Sequence, residues 1–121
     1  MKDEKQDYIR DKAQDFANSI LECEEYKEFI INSENLNKNT EAQALLKRFQ
    51  EKQMELRIKG MNSELMDELR KLQLNINQNQ TIQDFVKSQD NLVKLLQRTN
   101  NLITNKIGML FAFSSGGGCC G

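Results

Sequence analysis

The chain has 121 residues, with 17 lysines and arginines against 18 aspartates and glutamates, and it lacks histidine, proline and tryptophan. That length suits one domain with a modest core, and a formal net charge of −1 excludes a global field that would draw it onto nucleic acid. Without histidine, the commonest general base and the commonest zinc ligand are both missing.

Leucine, lysine, glutamate, glutamine and asparagine dominate, and glycine is confined to Gly60, Gly108 and the last six residues. This composition favours helices. From Asp3, the residues Ile9, Ala13, Phe16, Ala17 and Ile20 recur at spacings of three and four, which predicts an amphipathic helix. Tyr26, Phe29 and Ile30 continue it after a polar break, as one long helix or two. The stretch NSENLNKN, Asn32 to Asn39, has no periodicity and reads as a loop. Helix restarts at Thr40, where TEAQ places Gln43 in a capping-box position. Leu45, Leu46, Phe49 and Leu56 share a face, and Gly60 ends the element.

A shorter helix carries Leu65, Met66, Leu69 and Leu72. Asn75 to Gln80 reads as a linker or bend, and Thr81 with Asp84 gives another capping signal. The last helix runs toward Ile107, with Ile82, Phe85, Leu92, Leu96, Ile103 and Ile107 on its apolar side. No internal repeat and no period-two strand pattern is visible. The expectation is an all-α fold, a long antiparallel helical hairpin or bundle of four to five helices. A hairpin this thin cannot bury both flanks alone, so it is expected to be oligomeric. Met54 and Ile58 lie off the main stripe and mark the expected second surface.

The N-terminus, MKDEKQDYIRDK, lacks the apolar segment of a secretory signal. The longest apolar run, MLFAF (Met109 to Phe113), is far short of the roughly 20 residues that span a bilayer. Three cysteines without such a signal point to a reducing, cytoplasmic setting. Left exposed, Met109, Leu110, Phe111 and Phe113 would form a sticky patch. They are expected to fold back on the domain or dock on another subunit. Lys87, Lys94 and Arg98 share one helix face, which reads as solvated because no aromatics interleave to stack bases. The cluster Glu22, Glu24 and Glu25 reads as surface and helix-dipole chemistry.

Ala17 to Phe29, ANSILECEEYKEF, resembles the first block of the YlbF/YmcA family of bacterial and archaeal proteins. Thr40 to Gln50, TEAQALLKRFQ, resembles its second block, and Asn79 to Ile103 its third, in the right order and spacing. The resemblance implies an all-helical, oligomeric, non-enzymatic regulator. Its best-known relatives assist ribonuclease Y in processing messenger RNA, which affects competence, sporulation and biofilm formation, and iron–sulfur clusters are associated with their complex. Two departures stand out: Cys23 occupies the usual serine position, and the tail holds fewer cysteines than Cys-rich members.

That tail, SSGGGCCG, sets residues 114–121 apart from a helical domain over residues 1–113. Cys119 and Cys120 are adjacent, unlike the CxxC pair of zinc and redox sites. A cluster uses about four thiolates, so one shared with a second copy or another protein is the form the tail permits. The alternatives are an iron–sulfur or redox-sensing module built on Cys119 and Cys120, and a frayed end with incidental thiols. Cys23 reads as a half-buried small residue. The glycine run is neither a phosphate loop nor a prenylation box. Without histidine, no nucleophile–base or metal constellation for an enzyme is visible. The expected partners are a second copy, related family members and a ribonuclease, with neither direct nucleic-acid binding nor membrane insertion.

Overall fold

The computed structural model describes residues 2–112. Five helices follow one another: α1 (Lys2–Glu22), α2 (Glu24–Lys38), α3 (Thr40–Lys59), α4 (Ser63–Gln78) and α5 (Gln80–Ile107). The described residues contain no strand. The first segment is therefore two helices, broken at Cys23, whose backbone is extended (φ −75°, ψ 155°). The Cys23 side chain caps nothing, as expected of a weak sulfur acceptor.

The expected loop at Asn32 to Asn39 is instead helix as far as Lys38, and the expected linker at Asn75 to Gln80 narrows to a bend at Asn79. Asparagine is a poor helix former. Tertiary burial of Leu36 and Ile76 outweighs that preference here. Each polar run collapses to one extended asparagine, Asn39 (φ −85°, ψ 103°) and Asn79 (φ −80°, ψ 113°).

These asparagines, rather than Thr40 or Thr81, cap the helices that follow. Asn39 Oδ1 accepts the Ala42 N–H at 2.9 Å, and Asn79 Oδ1 accepts the Ile82 N–H at 3.0 Å. Each backbone N–H donates to the carbonyl three residues back, Leu36 or Ile76. Gln43 does not reach back to the cap N–H as a capping box would. Its Nε2 donates to the Leu36 carbonyl at 2.9 Å, and Gln83 does the same to Ile76 at 3.1 Å. Thr81 spends its hydroxyl accepting Asn39 Nδ2 at 3.1 Å.

Both bends thus share the same cap, backbone and glutamine hydrogen bonds. The segments LNKNTEAQ (Leu36 to Gln43) and INQNQTIQ (Ile76 to Gln83) align at an offset of 40 residues, sharing Asn37/Asn77, Asn39/Asn79 and Gln43/Gln83. The same offset carries α2 onto α4 and α3 onto the first part of α5. The expectation of no internal repeat is therefore corrected. With so few identities, only the shared backbone geometry makes the repeat visible.

Helix α2 packs antiparallel on α5, and α3 on α4, so the offset also exchanges the two packed pairs. Gly60 ends α3 with a positive φ of 79°, and Asn62 caps α4 through the Glu64 and Leu65 N–H groups. The core sits where the two bends meet. Leu36, Ala42, Ile76 and Ile82 are buried there, flanked by Leu45, Leu46, Phe49 and Phe85. Phe29 tilts against Phe85 with ring centroids 5.6 Å apart.

Candidate interaction surface

Helix α1 makes its principal contacts only with α2, its neighbour in sequence. Its apolar stripe is consequently bare: Ile9 is 67 % exposed and Phe16 44 %. The periodicity correctly forecasts an amphipathic helix, yet nothing in the single chain covers the stripe along its length. Ile20, next to the Cys23 break, is half-buried. Around this helix the Lys12 ammonium lies 5.4 Å from the Tyr8 ring centre, and the Ser19 hydroxyl donates to the Asp15 carbonyl.

Met54 and Ile58 project from α3, 60 % and 78 % exposed, and line a shallow apolar depression with Lys47 and Glu55. Met61 follows in the turn, also exposed. At the far end, Gly108 caps α5 in the left-handed conformation (φ 74°, ψ 16°), and the chain doubles back so that the Phe111 N–H donates to Thr104 Oγ1 at 3.2 Å. That return does not bury Met109, Leu110 or Phe111, all of which stay exposed. Leu102, Ile103 and Ile107 line an adjacent depression. Phe113, Cys119 and Cys120 lie outside the described residues.

Charge is organised in one place the sequence did not flag. Across α3 and α4, Lys52 Nζ stands 2.9 Å from Glu68 and 3.7 Å from Glu55. Arg48 and Lys71 line the same cleft. The hydrogen bond from Lys52 holds the Glu68 carboxyl below its ordinary value, and Glu68 in turn raises Lys52. The signal was available as Lys52 and Glu68 on facing helices, but it needs the hairpin register to be read. Lys87, Lys94 and Arg98 are exposed along α5, and Lys94 is engaged by Asp90 at 2.9 Å.

Among the described residues no three cysteines, aspartates or glutamates converge as metal ligands. Cys23 is the one thiol there, half-buried, against the about four a cluster uses. The described residues therefore do not form a cluster site. No helix among them is long and apolar enough to cross a membrane.

No curated protein matches the chain. The family model described as control of competence regulator ComK, YlbF/YmcA, matches residues 9–108. The match begins within the bare stripe of α1, takes in both asparagine bends, and closes on the glycine that caps α5. The chain belongs to the YlbF/YmcA family.

Proposed function

We propose that this protein is a non-enzymatic regulatory adaptor that works by assembly, with copies of itself or related family members, and that it serves a ribonuclease of the ribonuclease Y type in messenger RNA processing in the cytoplasm. The observation that carries this reading is the bare apolar surface on α1, α3 and the end of α5, far more than a core of six buried apolar residues leaves unexplained as noise. Long helices with one face spent on the bundle and another unspent are the form a helix-in-groove partner requires. The family match supplies the regulatory setting; the ribonuclease is carried over from the resemblance.

The test is a reconstituted cleavage assay with the purified ribonuclease and a structured transcript, with and without this protein. A change in cleavage pattern or rate that scales with stable binding to the enzyme is expected. Unchanged cleavage with no measurable binding would reject the adaptor reading. Replacing Cys119 and Cys120 by serine is expected to leave assembly unchanged. Anaerobically purified protein that absorbs near 400 nm and bleaches with that change would favour the iron–sulfur alternative instead (the wavelength is about that of thiolate-to-iron charge transfer).

A further inference from the structure

We propose that the groove between α3 and α4 is a binding site for a phosphate monoester, seated between Arg48 and Lys71 with the Asn75 amide beside them. This seat lies apart from the bare apolar patches and does not depend on the adaptor reading.

The offset of 40 residues that carries α2 onto α4 and α3 onto α5 also carries the α2·α5 groove onto the α3·α4 groove. Glu28, Ile31, Asn32 and Ser88 line the first, and Glu68, Lys71, Leu72 and Arg48 stand at the corresponding places in the second. Lys52 corresponds to Leu92. One groove thus has a serine, a leucine and an isoleucine where the other carries cations, and only the glutamate keeps its charge in both. The fold closes the first groove without positive charge, so packing does not account for the cations of the second.

Two of those cations are uncommitted. Lys52 is engaged, 2.9 Å from Glu68 and 3.7 Å from Glu55. Arg48 and Lys71 take part in no ion pair among the described residues, and both are exposed. Both stand near enough to Glu68 to join Lys52, the larger influence, in holding its carboxyl low. Two free positive charges match the about −1.5 to −2 that a phosphate monoester carries at neutral pH. A guanidinium fork, an ammonium and an amide supply donors for its oxygens, whereas a carboxylate would answer only one of the charges. Acids bound the seat at both ends: Glu41 lines the next depression beyond Asn75, and Glu68 with Glu55 lies at the other. A nucleic-acid strand laid along the groove would set its successive phosphates against these acids, so the seat suits one compact anion. The cleft, about 410 Å³ with the buried Leu72 in its lining, falls within the about 300–1,000 Å³ usual for small-ligand sites.

The phosphate can belong to a free metabolite or to a phosphorylated side chain, and the test separates the two. The full chain, isotope-labelled for nuclear magnetic resonance, is titrated with glycerol phosphate and with a phosphoserine peptide, the unphosphorylated peptide serving as control. Amide shifts are expected at Arg48, Lys71 and Asn75, with Ser88 and Ile31 of the other groove unmoved. Arg48→Gln and Lys71→Gln are each expected to weaken binding about tenfold, the loss of one charge-assisted hydrogen bond, with circular dichroism unchanged. Glu68→Gln removes the nearest opposing charge and is expected to tighten binding. Equal affinity for the two phosphorylated probes assigns the site to a free metabolite, and tighter binding of the phosphopeptide assigns it to a phosphorylated protein; either result upholds it. No shift at Arg48, Lys71 and Asn75 with either phosphorylated probe, binding indifferent to both Arg48→Gln and Lys71→Gln, or binding weakened by Glu68→Gln would each overturn the proposal.

Discussion

Asn39 and Asn79 hold the bends, but they are not equal. Both accept a helix N–H, and only Asn39 is seen also to donate across the bend, to Thr81. Removing a capping side chain costs about 1 kcal/mol, so Asn79→Ala is expected to lower stability by that amount and Asn39→Ala by more, in urea unfolding. The Lys52–Glu68 pair governs a pH effect. Glu68 titrates below its ordinary value when folded, so its contribution is present above the usual glutamate range and disappears as pH falls through the lowered value. Lys52 is raised, so its contribution holds below the usual lysine range and disappears as pH climbs through the raised value. Both groups are open to solvent, so the effect is small and salt-screened. Glu68→Gln is expected to flatten the acid limb of the melting temperature against pH, with the difference from wild type shrinking as salt is added.

The helices divide into those that hold the fold and one that does not. Ile82, 3 % exposed between the bends, is expected to cost about 2–5 kcal/mol when cut to alanine. Phe16→Ala in α1 is expected to cost the dilute chain far less, within about 1 kcal/mol, because the residue is 44 % exposed and lies outside the buried core. This contrast bears on what the sequence made legible. Periodicity located α3, α4 and α5 because each buries a stripe long enough to register, and Gly60 marked its turn through the positive φ it adopts. Asn32 to Asn39 read as a loop, and Asn75 to Gln80 as a linker or bend wider than the single residue Asn79, since local preference disfavours helix there, and the burial of Leu36 and Ile76 that reverses the preference is a non-local fact. For α1 the pattern announced a covered face without saying what covers it. Met54 and Ile58 stood out for the opposite reason: they interrupt a polar face, and the structure leaves them exposed on it.

At the scale of the whole molecule, the family assignment and the bare surfaces lead to one expectation, that the isolated chain is an incomplete object. Its small core makes it a protein of low intrinsic stability, and its unfolding midpoint is expected to rise with protein concentration, as mass action requires when association favours the folded form. A midpoint independent of concentration would count against any self-association. The turn at Gly60 to Asn62 has a further consequence, for the order in which the fold forms. It joins α3 to α4 across three residues, so that pair can close early and locally. The α2·α5 pair must instead wait for chain ends far apart in sequence to meet. Two packings that the repeat makes geometrically alike are thus kinetically unlike. In pulse-labelled amide exchange during refolding, α3 and α4 should gain protection first, α2 and α5 next, and α1 only as copies associate.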